Sequence, residues 1–213
     1  MKLEISIIDY GVGNLLSVQR AFEHLGAKAT ITSDPLRILS TSHVVFPGVG
    51  AFPAAMKRLK LNGLDHVVRE VASKGTALLG ICLGMQLLMD ESDEFGTNLG
   101  LGLIKGRVVA IPKQTIKGEE LNVPHIGWNS LKSTRDRSNW KGTILEQNQN
   151  GDDVYFVHSF MVEPADKDVT IAETTYGGHK ITATILKDNI TGCQFHPEKS
   201  GEIGLKILKS FIS

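Results

Sequence analysis

The segment Gly80-Ile-Cys-Leu-Gly-Met-Gln86 constrains this chain more than any other. An apolar run, Ala77-Leu78-Leu79, leads into it, and a helical-looking run with Leu83, Met85, Leu87, Leu88 and Met89 leads out. A strand that turns at once into a helix holds the residue at the bend at strained backbone angles. Glycine two places to either side removes the side chains that would collide there. Gly80 and Gly84 occupy those places. The pattern reads as a nucleophile elbow and makes Cys82 the candidate attacking group. Unpaired N–H groups and the dipole at the start of the following helix are expected to favour its thiolate.

Strand-like and helix-like patterns alternate around that turn, the signature of a parallel sheet covered by helices. Residues 3–9 alternate and end at a glycine turn. Asn14 is placed as the N-cap of a helix through Leu25, with Leu15, Val18, Phe22 and Leu25 at helical spacing and Gly26 as its stop. Strands are expected over 28–32, 43–46 and 77–80, and a helix over 63–73. Beyond Gly100, segments 107–111, 126–132, 154–157 and 169–176 read as strands without intervening helices, so this half is expected to be more antiparallel. Gly177-Gly178 lies between two alternating runs and predicts a hairpin. A strand over 190–195 and an amphipathic helix over 200–212 close the chain. Polar stretches at 113–122 and 133–153 read as exposed loops. With no internal repeat, residues 1–213 are expected to form one α/β domain.

A base and its orienter are supplied by Gln194-Phe-His-Pro-Glu-Lys-Ser200. If the backbone stays extended through Pro197, residues two apart point to one side, so His196 and Glu198 project together. His196 would take the thiol proton and later deliver it to a leaving amine. Glu198 would fix the imidazole tautomer and stabilise its charged form. The Pro47-Gly-Val-Gly50 segment follows a strand and is expected at the carboxyl edge of the sheet, where its glycines let a backbone N–H turn toward a developing oxyanion.

The pair GICLGMQ and QFHPEKS resembles the Cys-His-Glu triad of the class I glutamine amidotransferases. Segments Ile8-Asp-Tyr-Gly-Val-Gly-Asn-Leu-Leu-Ser17, Phe46-Pro-Gly-Val-Gly-Ala-Phe52, Pro124-His-Ile-Gly-Trp-Asn129 and Tyr155-Phe-Val-His-Ser-Phe160 resemble one branch of that class, the glutaminase subunits of imidazole glycerol phosphate synthase in histidine biosynthesis. The resemblance runs from Ile8 to the C-terminal helix. It implies a flavodoxin-like fold, with a mostly parallel central sheet flanked by helices and an antiparallel portion in the C-terminal half. The implied substrate is L-glutamine, hydrolysed through a Cys82 thioester, with no cofactor. Oxyanion donors are implied at Val49, Gly50 and Leu83. Substrate contacts are implied at Gly48, Gln86, His158, Ser159 and Phe160; the family often carries tyrosine at the last position, so only a backbone contact carries over there. The implied partner is a (β/α)8-barrel cyclase subunit in a heterodimer, met through Asn14, Trp128 and Lys199.

Composition narrows the remaining classes. With 23 basic and 23 acidic residues the chain has no net charge, so no field of one sign draws it to nucleic acid or an anionic membrane. No apolar stretch approaches the roughly 20 residues needed to span a bilayer, and the N-terminus lacks a signal peptide's apolar core, so a cytoplasmic location is expected. The two cysteines suit a reducing compartment, and Cys193 reads as a small buried thiol. Seven histidines show no zinc-type spacing, so no metal is expected. Tyr10-Gly-Val-Gly-Asn14 lacks both the third glycine of a dinucleotide loop and the Walker lysine. Three alternatives remain at this level: a paralogous subunit supplying ammonia to a surface-sugar synthase, a different cysteine hydrolase on the same fold, and a non-catalytic binding subunit.

Overall fold

A computed structural model describes residues 2–134 and 140–213. The chain runs β1 (Glu4–Ile8), α1 (Leu15–His24), β2 (Lys28–Thr32), α2 (Pro35–Ser40), β3 (His43–Gly48), α3 (Phe52–Leu61), α4 (Leu64–Ser73), β4 (Ala77–Cys82) and α5 (Leu83–Leu87). It continues through β5 (Met89–Ser92), β6 (Asn98–Leu99), β7 (Ile104–Ala110), β8 (His125–Ser130), β9 (Lys132–Ser133) and β10 (Asp153–His158). The last elements are β11 (Phe160–Pro164), β12 (Thr170–Tyr176), β13 (His179–Lys187), β14 (Ile190–Cys193) and α6 (Gly201–Phe211).

The main sheet has the order β2-β1-β3-β4-β14-β13-β12-β9. Its first five strands are parallel and follow the flavodoxin-like winding; the last three are antiparallel. The expected division into a parallel half and an antiparallel half is therefore present. A four-stranded sheet, β11-β7-β5-β6, and an antiparallel pair, β10-β8, complete the fold.

Helices cover both faces of the parallel strands because those strands are apolar on both sides. Ile5, Ile7, Val45, Leu79 and Ile81 pack with Val18 and Phe22 of α1 and Ile207, Leu208 and Phe211 of α6. Val44, Phe46 and Leu78 face the other way, onto Ile38, Leu59, Leu64 and Val68 of α2, α3 and α4. The α1 helix ends as its sequence predicts: Gly26 takes φ 88°, its N–H reaches Glu23 O, and Ala27 N–H reaches Phe22 O. The Gly177-Gly178 hairpin also forms, with both glycines at positive φ and Tyr176 paired to His179.

Several expectations are corrected. Asn14 stands at the N-cap position, but its side chain makes no capping hydrogen bond. The strand expected over 126–132 is broken at Leu131, which turns fully inward, so β8 and β9 pair in different sheets. The stretch 133–153 is not uniformly exposed: Trp140, Ile144 and Leu145 are buried in the core, and Trp140 Nε1 donates to Ile171 O at 2.8 Å. Residues 135–139 of that stretch lie outside the described residues. Helix α2 is not among the expected elements, although Asp34 caps it by accepting from Leu36 N and Pro35 opens it.

Candidate active site

Cys82 ends β4 at φ 54° and ψ −111°, a region that non-glycine residues rarely occupy. Such a conformation costs on the order of 1–3 kcal/mol and persists only where its surroundings enforce it. Here α5 is pressed against the neighbouring strand: a Cβ on Gly84 would overlap the carbonyl oxygen of Phe46. A Cβ on Gly80 would lie 2.9 Å from both the Cα and the N of Met85. Both glycines are thus demanded by backbone contact, and the elbow is present. The helix behind it is shorter than expected, only five residues, because Met89 leaves it to pair with Ile104. A helix so short has little macrodipole, and a neighbouring ring also acts on the sulfur.

That ring is His196. Its Nδ1 lies 2.8 Å from Glu198 Oε1, and the two side chains are 3% and 1% exposed. The extended path expected through Pro197 does not form. Residues Pro197–Lys199 make a 3-10 turn, with Lys199 N–H on His196 O at 3.0 Å. The turn, not strand alternation, folds Glu198 back onto the imidazole. Ser200 Oγ locks it by donating to His196 O at 2.7 Å and accepting from Tyr155 N at 3.0 Å. With Glu198 accepting from Nδ1–H, Nε2 is left for the cleft.

The sulfur end of the line is open. Cys82 Sγ donates to Val157 O and accepts from Gln194 Nε2, each at 3.8 Å, while His196 Nε2 is buried without a hydrogen-bond partner. The electrostatic coupling is nevertheless strong. Burial opposes a charge on His196, but the proximity of Cys82 and then of Glu198 outweighs it and pushes the ring up to about 10. Hydrogen bonds of this kind commonly close only when substrate is bound.

Cys82 and His196 share a cleft of about 290 Å³, also lined by Val49, Gly50, Leu83, Gln86 and residues 158–160. Of the residues expected to contact substrate, only Gly48 is absent from its wall. Gly48 is buried opposite Cys82 in the β3–β4 register, where a Cβ would overlap Tyr10 Oη. Gly50 has φ 96° and Val49 is 42% exposed. Leu83 opens α5, so its N–H has no partner within the helix. Gln86 Nε2 donates to Phe160 O at 2.9 Å and to Gln194 Oε1 at 3.1 Å. The Phe160 backbone carbonyl is thus held by Gln86. A larger open groove of about 400 Å³, lined by Pro53, Met56, Lys57 and Leu61 among others, contains no nucleophile paired with a base.

Two further residues, one lining the cleft and one buried behind it, are not among the expected site residues. Glu94 lines it, accepting from Phe52 N at 2.8 Å through Oε2; it reaches the site from the loop after β5, and no local spacing announces that. Gln194 stood inside the histidine motif, and its contact with sulfur emerges only when β14 pairs with β4. Cys193 is fully buried, and burial raises its thiol well above the ordinary range. Of the expected partner-facing residues, Trp128 is 58% exposed and stands edge-on to Tyr155, and Lys199 lies 6.0 Å over the same Tyr155 ring. Asn14 is exposed at the start of α1. Among the described residues no group of three or more His, Cys, Asp or Glu side chains is placed to hold a metal ion, and no helix is long and apolar enough to cross a membrane.

The profile of the family described as "Glutamine amidotransferase class-I" matches residues 6–213. A Legionella pneumophila (strain Lens) protein named imidazole glycerol phosphate synthase subunit HisH 1 is 48% identical over 208 residues, covering 98% of each chain. A Caldanaerobacter subterraneus subsp. tengcongensis protein, imidazole glycerol phosphate synthase subunit HisH, is 49% identical over 207 residues, covering 97% of this chain and 96% of that one. Among solved structures, PurLQS from Thermotoga maritima contains a chain that superposes with a TM-score of 0.71 at 18% identity, covering 99% of this chain and 98% of that one, a likeness of fold.

Proposed function

The chain belongs to the class I glutamine amidotransferases, and from that membership we propose that it is the glutaminase subunit of an imidazole glycerol phosphate synthase. The observation that carries the chemistry is the convergence of Cys82, on a strained elbow, with the His196–Glu198 pair in one amino-acid-sized cleft.

In the proposed reaction, the Cys82 S–H proton passes to His196 Nε2, the sulfur attacks the side-chain amide carbon of L-glutamine, and the carbonyl π pair moves onto oxygen. The N–H of Leu83 and one from the Val49–Gly50 segment hold that oxyanion, donors that matter more to the transition state than to the neutral amide. His196 gives its proton from Nε2 to the departing nitrogen, the C–N bond breaks, and ammonia leaves behind a γ-glutamyl thioester. Water then attacks the thioester, His196 takes its proton, and the C–S bond breaks to give glutamate and free Cys82. Glu198 keeps Nδ1 protonated throughout. Gln86, the backbone of residues 158–160 and the Glu94 carboxylate hold the amino-acid end.

Ammonia released into neutral water is protonated and no longer nucleophilic. A covered path to an acceptor site is therefore required, and a (β/α)8-barrel cyclase making imidazole glycerol phosphate and an aminoimidazole carboxamide ribotide is the partner proposed. The strip of Trp128, Tyr155 and Lys199, with Asn14, is the proposed contact surface, rich in the aromatic groups such interfaces favour. The reading places the subunit in the cytoplasm, in keeping with two free cysteines. Near-half identity over almost the full length to subunits of that synthase favours it over a surface-sugar pathway.

The test is copurification from the source cell with identification of the bound protein, followed by glutamine turnover alone, with partner, and with partner plus its nucleotide ligand. A barrel cyclase and rising turnover across the three are expected. A partner from surface-sugar synthesis would overturn the pathway, and equal rates would mean that the partner does not control turnover at the Cys82 site.

A further inference from the structure

We propose that His125, which does not line the cleft, is a positioning residue for glutamine binding: through His158 it orders the Phe160 carbonyl on the cleft wall. The proposal rests on the glutaminase reading above and concerns a residue that reading does not use.

His125 and His158 face each other across β8 and β10, where they are register partners. His125 Nδ1 lies 3.0 Å from His158 Nε2, and His158 Nδ1 lies 2.9 Å from Phe160 O. A carbonyl only accepts, so His158 carries its proton on Nδ1. Its Nε2 then offers a lone pair, which requires the proton of His125 on Nδ1. That leaves His125 Nε2 as an acceptor, and Asn129 Nδ2 stands 3.4 Å away. Asn129 is itself oriented, since it donates to Thr175 O at 2.9 Å and accepts Ser130 N–H at 2.9 Å through Oδ1. The whole chain of bonds runs in one direction only, and a second proton on either ring would put two N–H groups face to face.

Packing fixes the same arrangement. The His125 ring is stacked on Tyr176 at 4.0 Å and on Phe156 at 4.9 Å between centroids, and the two histidines are 2% and 5% exposed. Burial holds both rings neutral, His125 to about 4 and His158 to about 3. At the far end the Phe160 carbonyl receives two donors, His158 Nδ1–H and Gln86 Nε2–H, both at 2.9 Å. Its two lone pairs are filled, so the peptide on the cleft wall has one orientation. The triad meets this chain through Gln194 and Gln86, two bonds beyond the Phe160 carbonyl, and beside His158, where Cys82 Sγ donates to Val157 O and the His196 charge acts on the ring; none of these contacts is with His125. Loss of His125 therefore falls on substrate binding and leaves the chemical step largely intact.

The experiment compares His125→Phe and His125→Asn with wild type in steady-state glutamine turnover, using the chain with the synthase subunit that copurifies with it. Phenylalanine keeps the stack and removes the bonds; asparagine keeps a donor near the Nδ1 position. His125→Phe is expected to raise KM for glutamine about tenfold with kcat nearly unchanged, the effect of leaving one buried acceptor unsatisfied, and His125→Asn to recover most of it. An unchanged KM, a loss confined to kcat, or no recovery by asparagine overturns the proposal. Wild type without glutamine turnover would instead sink the functional reading. Independently of any variant, nitrogen NMR of the wild-type rings is expected to show both histidines neutral with Nδ1 protonated through the range where an ordinary histidine titrates. A charged ring or the other tautomer would contradict the relay.

Discussion

Glu198 Oε1 accepts the Nδ1 proton of His196 at 2.8 Å inside a site that seals both side chains from solvent. The carboxylate is thus the group that sets which nitrogen faces the cleft and that supports a positive ring there. Replacing it with an amide of the same shape removes the charge and allows the wrong tautomer. Glu198→Gln is expected to lower kcat for glutamine by about 10²–10⁴-fold with a small change in KM. Steady-state kinetics checks it, and near-wild-type kcat would remove Glu198 from the mechanism.

Gly84 meets the Phe46 carbonyl with no room for a Cβ, and the obstacle is backbone that cannot rotate away. Gly84→Ala must push α5 off β3 and disturb the bend at Cys82. It is expected to destabilise the fold by about 3 kcal/mol or more, within the overpacking and strain class of large effects. Urea unfolding measures this directly.

Tyr10 presents the opposite case. Its hydroxyl is buried against Gly48 without a hydrogen-bond partner, a cost the ring's packing on Phe46 at 5.4 Å has to offset. Tyr10→Phe keeps the ring and removes the unsatisfied group. The expected result is unchanged stability or a gain of up to about 1 kcal/mol in the same unfolding measurement; a loss larger than that would mean the hydroxyl has a structural partner.

Much of this was legible from local sequence because it depends on local rules. The elbow follows from two glycines and a cysteine, the α1 stop from Gly26, the hairpin from Gly177-Gly178. The pairing of His196 with Glu198 was also legible, but for a different reason than spacing suggests: proline opens a 3-10 turn, and the carboxylate arrives by the turn. What was not legible is what tertiary pairing decides. Glu94, Gln194 and His125 acquire their places only after separate strands come together, and the inward turn of Leu131 and Trp140 reflects a core that a polar stretch does not advertise.

Acid should weaken the fold through the two buried histidines. Burial holds the folded values of His125 and His158 at about 4 and about 3, below the ordinary value near 6.5 that applies in the unfolded chain. The unfolded state therefore binds protons first. Stability that is complete above about pH 6.5 is lost as pH falls toward the folded values, by roughly 1.4 kcal/mol per pH unit for each ring that resists its proton. Urea unfolding across that window is expected to show the slope in wild type and a shallower one in His125→Phe. Identical slopes would mean these rings are not held neutral.

The proposed function stands on glutamine being opened by the Cys82 sulfur and on its nitrogen passing to the partner. The most direct measurement is product formation by the copurified complex carrying Cys82→Ser, driven in parallel by glutamine and by added ammonia. The prediction is that glutamine-driven synthesis disappears while ammonia-driven synthesis continues near the wild-type rate. Glutamine turnover that survives the substitution would contradict the account.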